Sequence, residues 1–221
     1  MSDDEWSPLL RSDAWKSYIS QIKHTPDHLH QNPLTPISIC GLRLSRAIHY
    51  QRHENENTAN VPELDGRTPL FGAIIGGDVG CVGQLMEFGA LPNTIDHCGV
   101  FPLLLAVASQ NEDITECLLD HGADPNLAQL RTGTRAVHIA ARYGDPVVFR
   151  LLIRYNADLD VEDISGKNAL YFAAENGHAE IVQLLYQNGA TITSPAMNVA
   201  LANNHYVLAE FLRMGWDGMG G

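Results

Sequence analysis

Residues 166–190 read GKNALYFAAENGHAEIVQLLYQNGA, two short apolar segments separated by glycines. The first segment contains Ala173-Ala174 and stops at Gly177, and a glycine at that point ends a helix in a left-handed turn. The second contains Leu184-Leu185, a pair that buries one face of a helix. The stretch therefore predicts two helices joined by a tight turn, followed by a loop that starts at Gly189.

The same arrangement recurs along the chain with a period of 33 residues. Asp65–Leu70 (DGRTPL) and Cys98–Leu103 (CGVFPL) are 33 residues apart, and the third and fourth copies start at Gly133 and Gly166 after one extra residue near 128–129. One such unit cannot bury its own apolar face. The period therefore predicts a stack of repeated units that share one core.

These phrases resemble the ankyrin repeat, whose pattern has a Gly-x-Thr-Pro-Leu-His opening, an Ala-Ala pair, a Gly turn and a Gly-Ala-Asp-x-Asn hairpin. The resemblance implies an all-α solenoid of helix-turn-helix units with hairpin loops. The predicted units are 63–95, 96–129, 130–162 and 163–193, with a shortened C-terminal unit at 194–216. Within a unit, Thr68 is expected to cap the first helix and Pro69 to open it.

Several positions depart from the repeat pattern. Phe101 replaces the opening Thr, Gln110 replaces the turn Gly, Arg135-Ala136-Val137-His138 replaces Thr-Pro-Leu-His, and Asn156 replaces a hairpin Gly. We expect weaker helix caps there. The last unit has no hairpin tip, and its predicted helices, 194–203 and 206–214, indicate a C-terminal cap with a flexible tail at 217–221.

Residues 1–62 lack the repeat phrases and are interpreted as a helical extension. Ser12 and Thr35 each precede a helical apolar pattern. Because Thr35-Pro36 lies 33 residues before Thr68-Pro69, this segment is a candidate degenerate capping repeat.

The composition limits the class of partner. The chain has 221 residues, 14 Lys+Arg and 26 Asp+Glu, with a net charge of −12, which argues against broad binding to nucleic acid or anionic membranes. The longest strongly apolar uncharged stretch, 97–111, is too short to span a membrane. Four widely spaced cysteines suggest neither disulfides nor a zinc site. A cytoplasmic or nuclear protein is expected.

No motif of an enzyme is present. The chain has no P-loop, no dinucleotide Gly motif, no HExxH and no GxSxG, so we expect no catalytic residue, metal or cofactor. The histidines at 24, 28, 30, 49 and 53 are interpreted as solvated. Cys98 is expected to be accessible in a hairpin, and the resemblance gives His138 a structural role that ties neighbouring loops together.

The resemblance places a partner on the concave side, formed by hairpin tips and the outer faces of the first helices. Arg131, Arg135 and Arg142 of the third unit, with Tyr143 and Lys167, are suited to a carboxylate or phosphate. The alternative is internal pairing of the arginines with nearby acids, namely Glu162, Asp163 and Glu175. The remaining candidate contact residues are Leu64, Ile75, His97, Val100, Thr134, Glu175 and Asn176.

We therefore predict a non-catalytic protein–protein interaction module that binds another protein or peptide, such as an acidic or carboxylate-bearing segment. Two alternatives remain: an enzyme that uses the groove as a small-molecule pocket, and a self-associating structural subunit. Asn93 and Asn126 lie in a context similar to that of ankyrin asparagines hydroxylated by an oxygenase.

Overall fold

The structure, a computed structural model, describes residues 58–62 and 64–219. The helices predicted to begin near Ser12 and Thr35, and the histidines before residue 58, lie outside this part of the chain. The described residues form a short 3-10 helix, Thr58–Asn60, followed by ten α-helices. The helices are α1 (Pro69–Gly76), α2 (Val79–Glu87), α3 (Pro102–Ala108), α4 (Glu112–Asp120), α5 (Ala136–Tyr143), α6 (Pro146–Arg154), α7 (Ala169–Glu175), α8 (Ala179–Gln187), α9 (Ser194–Ala202) and α10 (Tyr206–Met219).

The helices pair within each repeat and stack between repeats. The first helices, α1, α3, α5, α7 and α9, form one contact row, and the second helices α2, α4, α6 and α8 form another. One continuous apolar core runs between the rows. With no β-strand among residues 58–62 and 64–219, the predicted all-α solenoid of helix-turn-helix units is confirmed.

The turns between paired helices follow the predicted glycines. Gly77, Gly144 and Gly177 have φ values of 69°, 73° and 73°. Gln110 and Asn156 adopt the same left-handed region, at 54° and 61°, although they carry a Cβ. The repeat geometry therefore imposes this backbone conformation even where the sequence supplies no glycine.

The capping role predicted for Thr68 is wrong for its side chain. Thr68 is the N-cap of α1, but the backbone N–H of Phe71 donates to the Thr68 carbonyl at 3.0 Å, and the Thr68 hydroxyl makes no capping bond. This buried hydroxyl has no hydrogen-bond partner. In repeat 3 the equivalent end is closed differently, because the Arg135 N–H donates to Nδ1 of His138 at 3.0 Å.

Asparagine side chains tie each loop to the next. Asn93 Nδ2 donates to the Gly122 carbonyl at 3.1 Å, and Asn93 Oδ1 accepts from the Asp124 N–H at 2.8 Å. Asn126 makes the same two bonds one repeat later, to Asn156 and Asp158. Asn60, 33 residues before Asn93, makes them with Gly89 and Leu91.

The extra residue of the third unit is accommodated in its loop tip. In the second and fourth loops the N–H of Asp96 or Asp163 donates to the carbonyl four residues later, Val100 or Lys167. In the third loop the N–H of Gln129 reaches the carbonyl of Thr134, five residues later, at 2.8 Å. The additional length leaves Leu130 78 % exposed and keeps the flanking helices in phase.

The last helix is longer than predicted, since α10 continues beyond Met214 to Met219, into the segment predicted as a tail. Gly220 and Gly221 lie outside the described residues. No helix in the described part of the chain combines the length and apolarity that crossing a membrane requires.

Candidate partner-binding surface

The loop tips place equivalent positions of four repeats in a row. Leu64 is fully exposed, Ile164 is 73 % exposed, and His97 and Arg131 between them are also exposed. Backbone bonds connect the tips, because the His97 N–H donates to the Asp65 carbonyl at 2.9 Å and the Ile164 N–H donates to the Thr132 carbonyl at 3.0 Å. These four residues, three of which are predicted contact residues, are accessible to a partner.

Other predicted contact residues are less accessible. Ile75, Val100 and Glu175 are half-buried, and Asn176 is exposed but donates its side-chain amide to the Phe172 carbonyl at 2.8 Å. Thr134 is buried, and its hydroxyl is hydrogen-bonded to that of Thr132 at 2.7 Å. Thr134 therefore stabilises its own loop and is omitted from the binding surface.

Arg135 is committed to bonds inside the protein. Its Nε donates to the Asn126 carbonyl at 3.1 Å, and its Nη1 donates to the Glu162 carbonyl at 3.3 Å. These bonds join the loop before α5 to the loop before α7. Arg135 is half-buried, so its charge contributes to the potential of the surface while its main role is structural.

The backbone of Arg142 is fixed by the following repeat. Nε2 of His178 donates to the Arg142 carbonyl at 2.9 Å. Gly144 allows this approach, because a Cβ at that position would collide with the ring of His178. The end of α5 is therefore held at a defined distance from α8.

The side chains of Arg142 and Lys167 converge on one aromatic ring. The guanidinium carbon of Arg142 lies 4.4 Å from the centre of the Phe172 ring, and Nζ of Lys167 lies 5.9 Å from it. Nζ of Lys167 also lies 4.3 Å from the centre of the Tyr171 ring. Such cation–π contacts stabilise by about 0.5–2 kcal/mol each and hold long side chains in place. Two cations from successive repeats are thus positioned together.

His138 packs against the Phe172 ring that Arg142 and Lys167 contact. Its ring packs edge-on against Phe172, with 5.8 Å between ring centres, and its Nε2 donates to the Val161 carbonyl at 2.9 Å. Burial lowers the pKa of His138, and the bond to Val161 opposes that shift. The neutral ring therefore ties two loops together, which confirms its structural role.

The predicted internal pairing of the basic residues does not form. Among the described residues, Glu162, Asp163 and Glu175 make no salt bridge with Arg131, Arg135 or Arg142. Tyr143, beside Arg142, is half-buried, and burial raises the pKa of its hydroxyl.

At the junction of repeats 1 and 2, the basic residue Arg67 forms an ion pair inside the protein. Nε of Arg67 donates to Oδ2 of Asp96 at 3.0 Å, and the Asp96 side chain is only 1 % exposed. Oδ1 of Asp96 accepts from the N–H groups of Cys98 and Val100. Cys98 itself is half-buried, and burial followed by the Asp96 charge raises the pKa of its thiol, so the accessibility predicted for Cys98 is only partial.

Asn93 and Asn126, the predicted modification sites, are exposed at the loop bases. Both side-chain amides are engaged in the bonds between loops described above. An oxygenase would have to draw each side chain out of these bonds, and hydroxylation stays a prediction.

Phe172 was not singled out by the sequence patterns. It is 3 % exposed and therefore counts as a core residue. A signal existed, because repeats 1, 2 and 3 carry Gly72, Leu105 and Ile139 at this position and only repeat 4 has an aromatic ring. The periodic alignment could have identified this difference.

Comparison with known proteins identifies related sequences. The family model described as ankyrin repeats (3 copies) matches residues 44–129 and 127–196. Mouse cyclin-dependent kinase 4 inhibitor B is 40 % identical over 110 residues, which cover 50 % of this chain and 84 % of that protein. Human cyclin-dependent kinase inhibitor 2A is 39 % identical over 104 residues, 47 % of this chain and 66 % of the relative. Ankyrin repeat protein nuc-2 of Neurospora crassa is 34 % identical over 135 residues, 60 % of this chain and 12 % of that protein.

Proposed function

The chain belongs to the ankyrin-repeat family and is a protein-binding module, and we propose that it binds an acidic segment of its partner through Arg142 and Lys167. The convergence of these two cations on Phe172 is the observation that carries the proposal. The enzyme alternative is not favoured, since the matching relatives are ankyrin-repeat proteins and kinase inhibitors.

The arrangement favours binding because its side chains are already ordered. A free Arg or Lys loses rotamer freedom when it binds, and a stacked one has lost part of that freedom beforehand. A carboxylate or phosphate can accept hydrogen bonds from the edge of the Arg142 guanidinium while the flat face of the guanidinium stays on the Phe172 ring. Arg131 at the neighbouring tip adds positive potential, and the exposed Leu130 and Ile164 offer apolar contacts beside it.

The names of the mammalian relatives suggest one partner to test first, a cyclin-dependent kinase. Both are inhibitors of such kinases by name, and the mouse protein is matched over 84 % of its length. A kinase surface that presents acidic residues to repeats 3 and 4 would agree both with the names of these relatives and with the basic character of Arg142 and Lys167. We keep the cytoplasm or nucleus as the predicted location.

The test is titration calorimetry with a cyclin-dependent kinase and with a set of Asp/Glu-rich peptides. Arg142→Glu and Lys167→Glu should each weaken binding by about 2–5 kcal/mol, and added salt should weaken the wild-type complex. Arg150→Glu is the matched control, because Arg150 is exposed on α6, outside the loop tips and first helices. Equal affinity of Arg142→Glu and wild type, without salt dependence, would reject the proposal.

A further inference from the structure

The last helix exposes an apolar stripe. On one side α10 buries Leu208, Ala209 and Leu212 in the core. On the other, Val207, Phe211 and Met214 are 87 %, 37 % and 60 % exposed. Their spacing of four and three residues puts them on one face of the helix, and we call these three residues the end stripe.

The end stripe differs from the outward faces of the earlier second helices. Those faces carry charged residues that pair between repeats, as Arg154 does with Glu116 at 3.2 Å. The exposure does not come from a loosely packed helix, because a Cβ at Gly215 would lie 2.6 Å from Cδ1 of Ile192.

A cavity of about 530 Å³ adjoins the end stripe, between α8 and α10. The two helices touch through the rings of Tyr186 and Phe211, whose centres are 5.7 Å apart. The space beside this contact can hold bulky apolar side chains. Its lining includes Ala179 and Gln183 of α8 and Val207, Leu208 and Phe211 of α10.

Among the side chains that the structure describes, two pairs of opposite charge flank this face. Glu180 pairs with Arg150 at 2.5 Å, and Glu210 pairs with Arg213 at 2.7 Å. The chain as a whole has a net charge of −12, so two copies repel each other over most of their surface. At the end stripe two copies can meet without that repulsion.

The face is also complementary to itself. If two α10 helices pack antiparallel about a two-fold axis near residues 210 and 211, Met214 of one copy meets Val207 and the cavity of the other. Glu210 of each copy then lies within one turn of Arg213 of the other. A two-fold interface requires this reciprocity. We propose that the end stripe is the interface of a homodimer of this chain.

This interface leaves the binding surface open. The end stripe and its cavity are formed largely by the second helices α8 and α10, whereas the proposed binding site lies on loop tips and first helices. Dimerisation would therefore give a particle with two separate partner sites. The inference is independent of the partner chemistry proposed above.

The test is the mass of the full 221-residue chain by sedimentation equilibrium over a range of concentrations. We expect an average mass that rises toward twice the chain mass of 24.2 kDa. Val207→Asp should weaken dimerisation by about tenfold or more, because it places a charge in the apolar contact, against Met214 of the other copy. Val147→Asp is the matched control, since Val147 is 41 % exposed on α6, away from the end stripe.

A charge exchange distinguishes this geometry from any other apolar contact. Glu210→Arg and Arg213→Glu should each weaken their own homodimer, because like charges then face each other. Mixing the two variants should restore dimerisation, since each copy supplies the charge that the other lacks. A wild-type mass equal to the monomer at every concentration overturns the proposal. Dimers that tolerate Val207→Asp overturn it as well.

Discussion

Repeats 1 and 2 and repeats 3 and 4 share one backbone plan but use their basic residues in opposite ways. Arg67 is bound by the buried carboxylate of Asp96 at 3.0 Å. Asp163, equivalent to Asp96, accepts the N–H groups of Ser165 and Lys167, and the Lys167 ammonium instead lies over Tyr171. The comparison shows that repeats can keep the same backbone geometry while using a basic residue differently. At one junction the basic residue forms a buried ion pair, and at the other it lies over an aromatic ring.

The largest expected effect comes from removing the two equivalent carboxylates. Asp96→Ala should lower the free energy of unfolding by about 3 kcal/mol, because it leaves Arg67 and two loop N–H groups without a buried acceptor. Asp163→Ala should cost only about 1 kcal/mol, since it removes two loop hydrogen bonds and no ion pair. Urea denaturation of both variants measures the difference. Equal losses would show that the two junctions do not differ as described.

The turn glycines offer a second paired test. Gly77→Ala should cost about 1 kcal/mol, because an alanine at φ 69° is strained but its Cβ has space, with Asn111 Nδ2 as its nearest neighbour at 3.9 Å. Gly144→Ala should cost about 2–3 kcal/mol, since its Cβ also collides with His178 and displaces the ring from the Arg142 carbonyl. The variants are compared by thermal melting. A larger loss at Gly77 would contradict the role assigned to His178.

A third test uses pH. The position of His138 is occupied by Phe71 in repeat 1, so only the later junction contains a titrating ring there. Because burial lowers the pKa of His138 below 6.5, the unfolded chain binds a proton before the folded chain does as the pH falls. The stabilising contribution is complete above pH 6.5 and decreases below it.

The measurement is the unfolding free energy of wild type and His138→Phe between pH 7.5 and 5. The wild-type value should fall more steeply below pH 6.5 than that of the variant. Parallel curves would mean that other groups cause the pH dependence.

The smallest expected effect concerns the loop asparagines. If Asn93 and Asn126 are hydroxylated, native protein should show one added oxygen at each site by mass spectrometry of its peptides, with little change in stability. Asn188, an exposed asparagine in the loop after α8 that lies outside the bonds between loops, is the internal control. Unmodified peptides for both sites would reject the prediction.

Most of the fold could be predicted because repetition averages over local irregularities. Pro69 and Gly77 bound α1 as the sequence pattern predicts, since both act through the backbone alone. The sequence pattern does not determine the conformation of a long side chain in the same way. Arg135 has many rotamers and several acceptors within reach, so no spacing rule could predict its bonds to the Asn126 and Glu162 carbonyls.

The sequence predicted where the binding site lies better than it predicted the side-chain contacts within the site. The sequence identified Arg142 and Lys167 as basic residues of adjacent repeats. It did not identify Phe172, the ring that both side chains contact. Phe172 lies in the core by every pattern, and only the three-dimensional packing shows that its ring serves two cations. The unpartnered Thr68 hydroxyl was missed as well, because the sequence pattern does not show that the Phe71 N–H donates to the Thr68 carbonyl and not to its hydroxyl.

The loop that holds the extra residue is also a natural grafting point. Gln129 and Gly133 close it with a bond of 2.8 Å, and Leu130 between them faces solvent, so the helices on either side do not sense its length. Lengthening such a closed loop costs little, about 0.6 kcal/mol for each doubling. A fluorophore or short epitope inserted there would sit at the edge of the basic surface. An engineer could thus turn this protein into a sensor that reports occupancy by its own partner.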